Sequence, residues 1–303
     1  MDFLYLLEKI RNPIVDNIML SVTQLGDELA FLVIALVLFW CVDKRKGYYI
    51  LAIGLFGTLA NQFMKLYFRI PRPWVLDENF TILEQAREGA SGYSFPSGHT
   101  QNAVGTFGGL AYTTKNRWVK AVLILFAVLV PFSRMYIGVH TPLDVAVAAL
   151  MAIVLILLLR PLIIDNGNKL MPYILAAMSV CSVAYLCYIS FYPFPNDIDA
   201  ENLASGTKNG FTLFGALMGF VAVYIADQKW LHFSTKAVWW AQGLKVILGL
   251  GLILIIKGGL KAPLNAAFGT SAGTAVRYFL MVLAAGVLWP LSFKWFEKLG
   301  NKG

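Results

Sequence analysis

Residues 145–159 read VAVAALMAIVLILLL, a stretch without one polar side chain. Any helix built from it is apolar on every face, which suits a bilayer rather than the surface of a soluble domain. The run extends over about 141–163, and further apolar segments at about 28–42, 48–68, 98–114, 119–135, 170–192, 211–226, 238–256 and 276–294 bring the candidate spans to nine. The segment at 28–42 is weak, because its cleanest stretch, LAFLVIALVLFWCV, is short for a crossing. The segment at 98–114 is rich in Gly, Thr and Ala and is expected inside the bundle, where small residues let backbones approach. The expected fold is all-α, a polytopic transmembrane helical bundle of about nine spans.

Composition agrees: 58% of residues are hydrophobic and 14% charged, against roughly 25% charged in soluble domains. The net charge of +8 is the kind that gathers in cytoplasmic loops of membrane proteins, so no nucleic-acid partner is expected. Cys41, Cys181 and Cys187 have neither C-x-x-C nor metal-site spacing and read as structural thiols. At the start, MDFLYLLEKIRNPIVDN interrupts its apolar character with Glu8, Lys9, Arg11 and Asp16. No cleavable signal peptide is expected there, and residues 1–24 read as an amphipathic interfacial or re-entrant segment.

Ionisable residues at the edge of a span are costly, and they persist where they are paired, face a cavity or do chemistry. Three groups of them occur in the first 144 residues. KLYFRIPRP sets Lys65 seven residues before Arg72; alone, it also reads as a basic helix end that snorkels to the interface. YSFPSGH sets Ser97, Gly98 and His99 where a helix begins, and amides at the positive end of a helix favour an anion; alone, it also reads as a plain cap. SRMYIGVHTPLD sets Arg134 six residues before His140 and His140 four before Asp144, so that in a first helical turn imidazole and carboxylate share a face. With alternating spans, all three groups emerge on one side of the membrane. Three fixed cations, backbone donors, two histidines and a carboxylate suit a phosphoryl group. They do not suit a metal centre, which takes several carboxylates or a His/Cys cluster; neither metal nor cofactor is expected.

Taken in order, the three stretches resemble the signature of the type 2 phosphatidic acid phosphatase superfamily. K-x6-R-P is matched by Lys65…Arg72-Pro73, P-S-G-H by Pro96-Ser97-Gly98-His99, and S-R-x5-H-x3-D by Ser133-Arg134…His140…Asp144. The resemblance implies metal-independent phosphoester hydrolysis through a phosphohistidine. His140 would be the nucleophile, Asp144 would hold its ring, and His99 would be the general acid. Lys65, Arg72, Ser97, Gly98 and Arg134 would bind the phosphate oxygens, while Ser133 is expected in a structural hydrogen bond. The organisation it implies is a phosphatase core over 25–165, within the first five spans, followed by additional transmembrane helices over 166–303.

Lys and Arg divide almost evenly between the two sides. With Lys65, Arg72 and Arg134 set aside as substrate ligands, the opposite side is richer and reads as cytoplasmic, which turns the site outward at the plasma membrane. The implied partner is a phosphorylated lipid, monophosphate or diphosphate, received from the bilayer. Two other readings stay open: a lipid-phosphate binding or transport protein without turnover, and a phosphatase of small soluble esters such as sugar phosphates. In the C-terminal half, His232, Lys257, Lys261 and Arg277 read as interface residues. Gly215 and Gly219 form a G-x-x-x-G packing contact, with a contact between subunits as one form of it. The sequence sets no oligomeric state.

Overall fold

Fourteen α-helices, several extended by π or 3₁₀ turns, make up the computed structural model, which describes residues 1–167 and 169–299. Among the described residues, seven helical stretches are long and apolar enough to cross a membrane, or eight if the pair Pro13–Gly26 and Glu28–Val42, bent by 54°, is one span. The expected nine become seven because the helical run that begins at Gly98 ends at Thr113, short of the roughly 20 residues a bilayer core requires, and because the expected span at 28–42 passes only as part of the bent pair. The chain forms two compact units, the first made of 1–34, 49–166 and 194–206, the second of 35–48, 167–193 and 207–303.

The first unit begins with α1 (Asp2–Lys9) and α2 (Pro13–Thr23). Leu4 of α1 packs on Phe80 and Ile82, and Leu7 on Tyr136 and Ile137. Phe3, Leu6 and Ile10 stay exposed, so the apolar character of this segment is divided between protein and surroundings. Next come α3 (Glu28–Val37) and α4 (Lys44–Phe68). α4 stops where Arg69 takes φ +50° and Arg72 extends ahead of Pro73, which opens α5 (Pro73–Leu76).

A long loop leads to α6 (Gly98–Ala103), a π turn over Val104–Gly108, and α7 (Gly109–Thr113). This run lies inside, as its small residues lead one to expect: Ala103 and Phe107 pack on Val130. Gly57 of α4 permits the approach, since a Cβ there would lie 1.7 Å from Gln101 Nε2. α8 (Arg117–Tyr136) is capped by Asn116, and α9 (Pro142–Arg160) starts with a capping box between Thr141 and Asp144, with Pro142 at its first position. α9 buries Val145, Ala148, Ala152, Leu155, Ile156 and Leu159 on one face, yet Leu150, Val154 and Leu157 on its others are more than half exposed. A helix apolar on its exposed side is solvated by lipid.

The second unit holds α10 (Met171–Phe191), most of α11 (Ala200–Ala226), α12 (Trp239–Gly259), α13 (Lys261–Leu283) and α14 (Phe293–Lys298). α13 is broken at Gly269, whose φ of 75° leaves the helical region. Buried Asp227 is held by Lys44 at 2.6 Å and the Tyr48 hydroxyl at 3.0 Å. Trp40 donates to Ala285 O at 2.9 Å, and its own carbonyl accepts from Lys245 at 3.1 Å. The G-x-x-x-G contact is made within the chain: a Cβ on Gly215 would lie 2.0 Å from Ala275 O, and one on Gly219 would lie 2.8 Å from Val282. His232 is exposed and left-handed, following a π turn.

The Gly215 contact is testable. Gly215→Leu is expected to destabilise the protein by about 1–3 kcal/mol, the usual cost of overpacking, read as a lower midpoint of thermal unfolding in detergent. Gly251→Leu is the control, because nothing lies within 4 Å of that position. Equal midpoints for the two variants would show that the α11–α13 approach is not tight.

Candidate active site

Asp144 is the third residue of α9 and is buried. Its Oδ2 accepts the Thr141 N–H at 2.8 Å and the Ser94 hydroxyl at 2.5 Å, and lies 3.4 Å from His140 Nδ1. Its backbone carbonyl accepts the Ser97 N–H at 3.1 Å. The His–Asp pairing thus differs from the expected shared face of a helical turn. The helix starts only at Pro142 and Thr141 is its cap, so His140 stands outside it and meets Asp144 because the capping box folds the carboxylate back.

Arg72 lies on the other side of the His140 ring. Its NH1 donates to His140 Nε2 at 2.9 Å and to Val139 O at 3.0 Å, NH2 to Ser91 O at 2.9 Å and Nε to Gly92 O at 3.1 Å. Lys65, seven residues earlier near the end of α4, donates to Tyr93 O. Arg134, in the last turn of α8, donates from NH1 to Thr23 Oγ1 at 2.8 Å, while its buried Nε has no partner. All three cations are buried, and among the described residues none is within 4 Å of a carboxylate oxygen. Burial, and then the charges of Arg72, Arg134 and Lys65, push the His140 imidazole well below its ordinary value. The ring is therefore neutral at pH 7. With Nδ1–H directed at Asp144, Nε2 carries the lone pair.

Ser97 caps α6, its Oγ accepting from Thr100 Oγ1 at 3.0 Å and from Thr100 N at 3.4 Å, which leaves its own hydroxyl proton to donate. Its N–H is taken by Asp144, which corrects the expectation of a free amide there. Gly98 opens α6 in the first turn, where an amide has no intrahelical acceptor. A Cβ at Gly98 would meet only Asn61 Oδ1, 4.0 Å away, so the space before it is open. His99 follows, partly exposed, with no hydrogen bond to its ring among the described residues. Ser133 donates to Val130 O at 2.7 Å, a structural bond as expected. Among the described residues no group of three or more His, Cys, Asp and Glu is placed to hold a metal ion.

Three supporting residues were not singled out by the sequence. Thr23 of α2 holds Arg134, Ser94 holds Asp144, and Asn61 of α4 donates to Pro96 O at 3.3 Å. The one available signal was for Ser94, a hydroxyl three residues before Ser97 in the stretch YSFPSGH.

The arrangement offers a neutral imidazole, a carboxylate to orient it, and an excess of fixed positive charge. The PAP2 superfamily model matches residues 45–167, and the model of the PAP2 superfamily phosphatase transmembrane extension matches 211–302. The chain is 31% identical over 146 residues to the undecaprenyl-diphosphatase BcrC of Bacillus subtilis, covering 48% of this chain and 72% of that protein. The chain belongs to the PAP2 superfamily. Among other PAP2 relatives, it is 30% identical over 151 residues to the phosphatidylglycerophosphatase B of Bacillus subtilis, covering 45% of this chain and 69% of that protein. It is 25% identical over 261 residues to the sphingosine-1-phosphate phosphatase 1 of Rattus norvegicus, covering 79% of this chain but only 58% of that protein. No solved structure matches this PAP2 chain.

The chain has three histidines, so the protonation of His140 can be followed directly. In ¹⁵N-histidine spectra, assigned with His99 and His232 variants, the His140 ring is expected to stay neutral as pH falls through 6.5 and to protonate only below it, because its value is lowered. Protonation at or above pH 6.5 would contradict the geometry described.

Proposed function

We propose that the protein is a membrane-embedded, metal-independent phosphatase that hydrolyses a lipid phosphate or diphosphate through a phosphohistidine. In this reading its site faces outward at the plasma membrane, residues 25–165 form the phosphatase core, and the helices of 166–303 are additional. The observation that carries it is the setting of His140, held between Asp144 and Arg72 within reach of three buried cations. Capture of a headgroup needs the cations alone. An imidazole with its proton directed at a carboxylate is an activated nucleophile, which favours turnover over binding or transport.

The phosphate enters among Lys65, Arg72 and Arg134, with the Ser97 hydroxyl and Gly98 N–H as further donors; charge neutralisation and positioning are the main demands of phosphoryl transfer. His140 Nε2 forms a bond to phosphorus as the P–O bond to the leaving group breaks. Burial and then the charges of Arg134, Arg72 and Lys65 hold the His99 imidazole well below its ordinary value in the free site; once the bound phosphate offsets those charges, His99 takes up a proton and gives it to that oxygen. Asp144 stabilises the positive charge that develops on the His140 ring. In the second step His99, now neutral, takes a proton from water, the hydroxide oxygen bonds to phosphorus, and the P–N bond breaks. Inorganic phosphate leaves, and both histidines return to their starting states.

His140→Ala is expected to lower phosphate release from a lipid phosphate by about a thousandfold or more while leaving thermal stability close to wild type. With ³²P-labelled lipid and an alkaline quench, label is expected on the wild-type chain and absent from the variant. A folded variant with wild-type turnover would remove His140 from the chemistry. EDTA is expected to leave turnover unchanged; loss of activity restored by a divalent cation would indicate another mechanism.

Ser94→Ala takes a hydroxyl from Asp144 and is expected to lower kcat about tenfold with little change in KM, the scale of one hydrogen bond to a charged group. An unchanged kcat would mean that Ser94 does not position the pair.

A further inference from the structure

A hollow of about 610 Å³ lies between α8, α9 and the inner run that begins at Gly98, all within the first unit. Small residues leave the space: Gly108 and Ala111 of the inner run, Ala127 of α8 and Ala149 of α9 all line it. Among the described residues, Lys120 is the only charged one in its lining. Lys120 precedes Arg134 on the same helix by 14 residues, about 21 Å along the axis. This end of the hollow therefore lies at the membrane surface opposite the candidate site. Tyr112, near the end of the inner run, also lines the hollow, and Arg160 stands over its ring, 4.5 Å from the centroid. Arg160 is the last residue of α9; its NH2 lies 3.7 Å from Asp165, and its Nε is buried without a partner. Lys120 is exposed and makes no side-chain hydrogen bond or ion pair among the described residues.

Basic residues at helix ends ordinarily snorkel one by one to the headgroup layer. Here cations from two helices border one apolar hollow, together with a tyrosine from a third segment, and basic pockets between membrane helices take lipid headgroups. We propose that the hollow binds an anionic phospholipid of the leaflet opposite the candidate site. One acyl chain lies along the hollow, and the headgroup phosphate sits between Lys120 and Arg160, where it accepts from the unpartnered Arg160 Nε. A hydrocarbon chain alone gives no reason for the cations, and a free anion gives none for the hollow; one lipid accounts for both. The inference does not depend on the phosphatase reading. It bears on the same helices, however, since α8 carries Arg134 and α9 carries Asp144, and a ligand that bridges them stabilises their packing by mass action.

The test titrates the purified protein in detergent with dioleoyl phosphatidylglycerol and with dioleoyl phosphatidylcholine, and counts bound lipid by native mass spectrometry. The two have the same chains, only the first is anionic overall, and neither has the terminal phosphate that the candidate site would cleave. The wild type is expected to hold one phosphatidylglycerol about tenfold more tightly than phosphatidylcholine, the scale of one to two basic residues at a membrane surface. Lys120→Gln combined with Arg160→Gln is expected to remove that preference. Ile153→Trp, which fills the hollow from its exposed side, is expected to weaken both lipids and keeps the proposal falsifiable should the double variant fail to fold. Equal affinity of the wild type for the two lipids would overturn the proposal, as would a preference unchanged in the double variant. Binding that survives there but is lost in Arg72→Gln would also overturn it, placing the lipid at the candidate site. So would an Ile153→Trp variant that binds phosphatidylglycerol normally while turning over long-chain substrates more slowly than short-chain ones, since the hollow would then hold the substrate's own tail.

Discussion

One buried carboxylate ties the candidate site together. Asp144 closes the capping box that starts α9, accepts the Ser94 hydroxyl, faces His140 Nδ1, and through its carbonyl holds Ser97. An ion taken out of water costs several kcal/mol unless its lone pairs are satisfied, and here two hydrogen bonds of 2.5 and 2.8 Å satisfy Oδ2. The Ser94 bond, together with that from the Ser97 N–H to the Asp144 carbonyl, fixes the loop before α6 against the start of α9. The proposed nucleophile and phosphate cradle therefore come from segments more than forty residues apart and are still held in one register.

Around that carboxylate, positive charge is in excess. Lys65 and Arg72 donate to the carbonyls of Ser91, Gly92, Tyr93 and Val139, and Arg134 to the Thr23 hydroxyl. Carbonyl dipoles ease the burial of a cation without cancelling its charge, and Arg134 Nε remains unpartnered. A dianion placed among them would supply acceptors and opposite charge together, so ligand binding and stability are linked by mass action. The N-terminal segment shares in this. Arg11 donates to Tyr136 O at 3.1 Å and Tyr136 to Asp16 at 2.8 Å, which fixes the end of α8 from which Arg134 projects.

Much of this was legible in the sequence, and the limits have physical causes. Ionisable residues stand out in apolar surroundings, so Lys65, Arg72, His99, Arg134, His140 and Asp144 could be picked out before any geometry. Ser94, Thr23 and Asn61 could not, because an uncharged polar residue is common and its role depends on which distant segment folds beside it. The apolar runs marked the helices, since lipid requires backbone groups to be satisfied within the segment. They did not fix the number of crossings, which depends on the 54° bend before α3 and on where the run from Gly98 stops. Gly215 and Gly219 announced a close contact, but that its partner is α13 of the same chain is a fact of tertiary packing.

Arg72 ties the proposed nucleophile to the proposed phosphate site. Its NH1 donates to His140 Nε2, the lone pair that the proposed reaction requires, at 2.9 Å. While that bond persists the nucleophile is masked. A phosphate oxygen is a stronger acceptor for a guanidinium than a neutral imidazole, so a bound phosphate draws NH1 away and exposes Nε2 as it comes within reach of phosphorus. Water cannot compete for the guanidinium in the same way, because it brings no charge. The remaining Arg72 bonds, to the carbonyls of Ser91 and Gly92, hold the side chain in place while NH1 changes partner. In the proposed reaction, the residue that binds the phosphate is thereby the one that releases the nucleophile.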